Sequence, residues 1–148
     1  MRIIFSTFVT QEYREVTQKF DQKLLLTLSP PFPRVRIIRY DGNQPGNEVH
    51  IRLHFGFRQF LWKSLITEYR ESGQRLYFVD EGIQLPWPLR YWRHRHEIRR
   101  QDADSLIIDD VTYRAGAKWL DFLLYPFIFL QLLYRKPIYK RYFKKKVT

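Results

Sequence analysis

Apolar and polar positions alternate with a period of two along the middle of the chain, and follow a helical period only near its two ends. Arg2–Val9 is short, β-branched and aromatic, and predicts a first strand. Tyr13, Val16, Phe20 and Leu24 then recur at spacings of 3, 4 and 4, the stripe of an amphipathic helix. Thr10 is the expected cap, with Glu12 near the positive end. Asp21 is expected to divide the stripe into two short helices, the second carrying Leu24–Leu28. Pro30-Pro31-Phe32-Pro33 ends helical structure, because proline lacks a donor and restricts the residue before it.

Val35 and Ile37 alternate with Arg34 and Arg36 and predict a strand reaching Tyr40. Asp41–Asn47 has the composition of a turn. Val49, Ile51, Leu53 and Phe55 alternate with His50, Arg52 and His54, the cleanest half-buried strand. Phe60–Tyr69 predicts another, Ser72-Gly73 turns it back, and Leu76–Asp80 follows. Leu85-Pro86-Trp87-Pro88 reads as a rigid apolar loop. Arg90–Arg100 and Ser105–Arg114 predict two long strands, with Gln101–Asp104 between them. The last element is helical from Ala117 to about Phe143, with Pro126 expected to kink or restart it near Tyr125 and Pro137 to act similarly. Within Phe127–Leu133 only Gln131 is polar, as in a helix covered on more than one side.

The order is strand, two short helices, six strands and a long helix. This is an α+β pattern without the strand–helix alternation of a parallel doubly wound sheet. One antiparallel sheet of about seven strands must bury its apolar face, and the long helix is the large partner available to it. At 148 residues, the chain reads as one domain, 1–148, without internal repeats. Hydrophobic residues make up 45% and aromatics 18%, which excludes a mostly disordered chain. The absence of cysteine excludes a disulfide scaffold, a thiol nucleophile and a cysteine-built zinc site. The N-terminus lacks the pattern of a signal peptide, so a cytoplasmic location is expected. The most apolar stretch, Trp119–Tyr134, contains Asp121, Pro126 and Gln131 and falls short of the roughly 20 residues of a spanning helix.

Three segments carry a family resemblance. They are Trp92-Arg93-His94-Arg95-His96-Glu97-Ile98, Ile107-Ile108-Asp109-Asp110-Val111-Thr112-Tyr113-Arg114, and Tyr134-Arg135 with Tyr142-Phe143-Lys144. Together with the element order they resemble the START-like (SRPBCC) superfamily, and within it bacterial ligand-binding SRPBCC proteins. The resemblance implies a helix-grip fold, in which a curved antiparallel sheet wraps the C-terminal helix around an apolar cavity. The link Arg114-Ala115-Gly116-Ala117 departs from the Pro/Gly-rich link of the commoner pattern. The superfamily includes lipid carriers, hormone receptors, polyketide cyclases and oxygenase subunits, so fold alone does not choose the chemistry.

Period-two arithmetic places Trp92, His94, His96 and Ile98 on one face of the sixth strand. It sends Tyr91, Arg93, Arg95, Glu97 and Arg99 to the other face, toward water. On the last strand Ser105, Ile107, Asp109, Val111 and Tyr113 share a face. Pairing of the two strands would bring His94 or His96 near Asp109 or Tyr113, a group able to anchor a polar head or move a proton. A structural His–Asp pair is the competing reading. Trp62, Phe78, Leu53, Phe55 and Ile66 are candidate lining residues, with Phe127 and Leu130 from the helix and Leu85, Pro86 and Trp87 as a candidate gate. His50 and His54 are too far apart on an extended chain to share an ion. His94 and His96 would need a third ligand such as Asp109 or Glu97, and no metal is expected. There is no nucleophile elbow and no Gly-rich phosphate loop, so no cofactor is expected.

The charge excess sits at the end of the chain. Residues 135–148 contain Arg135, Lys136, Lys140, Arg141 and Lys144–Lys146, seven of the cations behind a net charge of +11, interleaved with Tyr139, Tyr142 and Phe143. An anionic membrane surface is a candidate partner for such a helix end. Nucleic acid is disfavoured, because no recognised nucleic-acid module is present. Cations that complement a helix C-terminus are the bland alternative. The favoured function is a binding or carrier protein for a hydrophobic small molecule, lipid or polyketide-like. The alternatives are a cyclase-like enzyme using the His/Asp/Tyr group and a peripheral membrane-surface or protein-interaction domain. The pattern gives no oligomeric state.

Overall fold

The computed structural model describes residues 1–146, so Val147 and Thr148 of the basic end lie outside the described residues. Strand β1 (Arg2–Val9) is followed by α1 (Tyr13–Gln18) and α2 (Gln22–Leu28). Then come β2 (Arg34–Tyr40), β3 (Glu48–His54), β4 (Gln59–Glu71), β5 (Arg75–Gln84), β6 (Leu89–Gln101) and β7 (Asp104–Ala115). Helix α3 (Lys118–Tyr142) closes the order.

Asp21 divides the helical stripe by a specific bond. Its carboxylate accepts from the Leu24 amide at 3.1 Å and caps α2, a contribution of about 1 kcal/mol. Thr10 does not cap α1 as expected; the helix starts after Glu12, without a side-chain cap. Val16, Phe20, Leu24 and Leu28 all point into one core cluster, which is why the stripe survives the break between helices.

The seven strands form one sheet in the order β1-β7-β6-β5-β4-β3-β2, with every pair antiparallel. Consecutive strands from β2 to β7 are neighbours, and β1 returns to the far edge beside β7. Arg2 secures that pairing through two bonds to Asp110, at 2.9 and 2.7 Å. Strand β5 runs on past Asp80 to Gln84, because its ladder with β4 resumes beyond an irregularity and reaches Lys63 opposite Gln84.

Helix α3 packs on β1, β7 and α2. It runs unbroken through Pro126 and Pro137, both on its exposed side, where a carbonyl freed by a missing N–H can meet water. Leu120, Ile128, Leu132, Ile138 and Tyr139 form its buried side, with buried Phe143 at its C-cap. The core falls into two clusters, one around Val16, Phe20, Ile98 and Tyr139, the other around Trp92, Val111, Tyr113 and Ile128. Neither cluster takes a buried residue from β2 or β3. The inner side of those strands is left to line a space.

Glu97 corrects the expectation that the outer face of β6 lies wholly in water. It is only 4% exposed. Arg75 pairs with its carboxylate, Arg99 donates to it at 2.8 Å, and Arg95 lies 3.5 Å away. Arginine stems are long and apolar enough to cover a carboxylate while their charged heads stay wet.

Candidate functional site

A cavity of about 630 Å³ lies between the sheet and helices α2 and α3. Val35, Val49, Ile51 and Leu53 form one wall, and Phe60, Trp62, Ile66 and Phe78 continue it across β4 and β5. Leu24 and Leu28 of α2 and Phe127, Ile128 and Leu130 of α3 form the opposite side. The Trp62 and Trp92 rings meet edge to face at 4.9 Å, with the Trp62 indole donating to Ser64 at 3.1 Å. The lining is mostly apolar, and its Asp80, His94 and His96 come together at one place on β5 and β6.

Strand register builds that place. Asp80 is directly opposite His94, and Asp109 is directly opposite His96. Each carboxylate nevertheless bonds the other histidine. His94 Nε2 lies 2.8 Å from Asp109 Oδ1, and His96 Nε2 lies 2.7 Å from Asp80 Oδ2. Diagonal neighbours on one sheet face are within reach of side chains this long. The two imidazole rings lie 3.7 Å apart between centroids, tilted by 31°, and Phe78 stacks on His96 at 4.6 Å. Arg135 from α3 donates to Asp109 at 3.4 Å, and the Tyr139 hydroxyl lies 3.5 Å from the same oxygen. His96 Nδ1 and Arg135 Nε are buried atoms without a hydrogen-bond partner.

Burial sets the protonation states. It pushes His94 down to about 4, helped by the adjacent His96 and only partly opposed by the bond to Asp109. His94 is thus neutral near neutral pH. Burial alone would raise both carboxyls, but the bonded histidines and Arg135 outweigh it, and Asp80 and Asp109 both lie below the ordinary carboxylate range. Tyr139 is held well above the usual phenol range by burial and by the charge on Asp109. The site holds two ionised carboxylates beside one guanidinium.

Of the candidate residues, Trp62, Phe78, Trp92, His94, His96, Phe127 and Leu130 line the cavity, together with Pro86 and Trp87. Asp109 stands behind His94, outside the lining. Tyr113 is kept away from it: its hydroxyl donates to the Asp121 carbonyl at 2.8 Å and ties β7 to the start of α3. Leu85 is also elsewhere, folded over Gly82, where an added Cβ would collide with it. Among the lining groups that escape the sequence reading are Asp80 and Arg135. Asp80 shares the face of Phe78 by simple alternation, and Arg135 follows Ile128 and Leu132 at helical spacing rather than opening the basic end.

No protein-family model matches the sequence, and no curated protein matches it. Solved structures do match the fold. Protein Ms6760 from Mycobacterium smegmatis superposes with a TM-score of 0.72 at 13% identity, over 99% of this chain and 93% of that one. Truncated norcoclaurine synthase from Thalictrum flavum gives 0.68 at 17%, over 99% and 95%. The di-domain ARO/CYC protein StfQ of the steffimycin biosynthetic pathway gives 0.69 at 13%, over 96% of this chain and 50% of that one. With the seven-stranded sheet and long last helix, these likenesses show the helix-grip fold.

Proposed function

We propose that the protein binds a hydrophobic small molecule between the sheet and α3. The observation that carries this reading is the cavity itself, about 630 Å³ and walled by aliphatic and aromatic side chains, within the roughly 300–1,000 Å³ of small-molecule pockets. The apolar body of a lipid or polyketide-like ligand would lie against Val49, Ile51, Trp62 and Phe127. Its polar end would meet His96, Asp80 and Arg135. Cyclase-like proton transfer is the alternative use of the same end. It would fall on His96 and Asp80, which reach the cavity, and not on Asp109 or Tyr113, which do not.

N-phenyl-1-naphthylamine tests the binding reading, because its emission rises in apolar surroundings. Saturable binding at one site, displaced by a long-chain fatty acid, is expected. A flat titration would contradict an open apolar cavity.

A specific observation favours a membrane-docked form of the same carrier. Trp119 and Phe122 on the outer side of α3 are 66% and 67% exposed, and Leu123, Phe127 and Leu130 extend the patch. Phe127 and Leu130 also line the cavity, as do the exposed Phe32 and Trp87. Lys136, Lys140 and Arg141 follow on the same helix. An apolar patch with a cationic flank suits an anionic bilayer, and among the described residues no helix is long and apolar enough to cross one. Sedimentation with phosphatidylserine-containing vesicles, but not with pure phosphatidylcholine, is expected. The double change Trp119→Asp with Phe122→Asp should abolish it and leave fluorophore binding intact.

A further inference from the structure

We infer that Asp80, His94 and His96 form a site for a divalent first-row transition cation, with one coordination position open to the cavity. One candidate ligand atom from each residue lies within 4.8 Å of the others. Asp80 Oδ2 is 2.7 Å from His96 Nε2 and 3.9 Å from His94 Nδ1. Ligand atoms about 2.0–2.2 Å from a tetrahedral zinc ion stand about 3.3 Å from one another. The two observed separations straddle that value.

Three further features suit a cation. The first is the outer partner of His94. Its Nε2 is engaged by Asp109 at 2.8 Å. A carboxylate on the far nitrogen of a metal-bound histidine fixes the tautomer and turns the other lone pair toward the ion. Here that lone pair is on Nδ1, the atom nearer Asp80. The second is His96. With a cation on its Nε2, its proton moves to Nδ1, otherwise a buried atom with no partner, which lies 3.8 Å from the same Asp109 oxygen. The third is charge. Two carboxyl groups, Asp80 and Asp109, flank the two histidines, with a single guanidinium, Arg135, beside them. Two imidazoles and one carboxylate are a common donor set for zinc and for iron(II). Strand β5 supplies the third donor, in place of the Asp109 or Glu97 considered from spacing alone.

The cation site shares the proposed cavity but does not depend on its apolar ligand. An anionic oxygen at the head of that ligand would complete the open position.

Cobalt(II) titration tests the inference by its visible ligand-field absorption. The wild type is expected to bind one equivalent, displaced by zinc(II). Asp80→Asn and His96→Gln are each expected to weaken binding by at least about tenfold, the lower bound for losing even an outer partner, whereas His50→Gln retains it. No absorption in the folded wild type, or absorption that persists in both site variants, would overturn the site. Should either variant fail to fold, imidazole nitrogen NMR of the wild type decides. Zinc(II) should shift His94 Nδ1 and His96 Nε2, and a shift confined to His50 and His54 would overturn the inference. Fluorophore binding without cobalt binding would remove the cation site while leaving the carrier reading standing.

Discussion

Asp109→Asn is expected to destabilise the fold by about 3–5 kcal/mol, the usual result of removing one partner from a buried ion pair. Asp109 Oδ1 receives His94, Arg135 and Tyr139, and the residue is 2% exposed. Asparagine keeps the size but leaves the Arg135 charge without its nearest anion. The adjacent Asp110→Asn is the internal control. Its pair with Arg2 is on the surface, where such pairs contribute at most about 1 kcal/mol. Urea denaturation of the two variants separates a buried cluster from a generic charge effect; equal losses would contradict the burial argument.

The same cluster makes the protein acid-labile. His94 is depressed from 6.5 to about 4 in the fold, so the unfolded chain takes up its proton first and stability falls as pH drops from about 6.5 toward 4. Asp109 is also depressed. Its contribution is complete above the unfolded carboxylate range near 4 and is lost as pH falls below it. With a chelator present throughout, the decline should begin above pH 5, and Asp109→Asn should lose the steeper part below pH 4.

Val49→Trp is expected to abolish most apolar-ligand binding while the fold is kept. Val49 lines the cavity, on the same sheet face as Ile51 and Leu53. Strand β3 contributes nothing to either core cluster. The new ring therefore fills space instead of displacing packed atoms, the situation in which larger side chains hold or raise stability. N-phenyl-1-naphthylamine affinity should fall by at least about tenfold, the equivalent of about 1.4 kcal/mol, with the melting temperature unchanged or higher. Unchanged affinity would place the bound probe elsewhere.

The strands were legible because alternation is a strong signal wherever one sheet face is buried. That parity also brings His94 and Asp109 to one face, as found. Parity is silent about what each side chain then finds. Tyr113 shares the face of Asp109, but α3 captures its hydroxyl. Glu97 has outward parity, yet arginines from β5 and β6 cover it. Asp80 was within reach, since Phe78 fixes the face of β5. Its bond crosses to His96 rather than to directly opposite His94, a choice made by side-chain geometry. Arg135 belongs by charge to the basic end and by helical spacing to the core, and the spacing prevails because Asp109 waits opposite it.

The most direct test of the carrier reading is native mass spectrometry of freshly purified protein beside its denatured mass, with solvent extraction of whatever is lost. The reading predicts an added mass that leaves on denaturation and an extract containing a hydrophobic small molecule. A chain at its calculated mass that also fails to take up a long-chain fatty acid would contradict it.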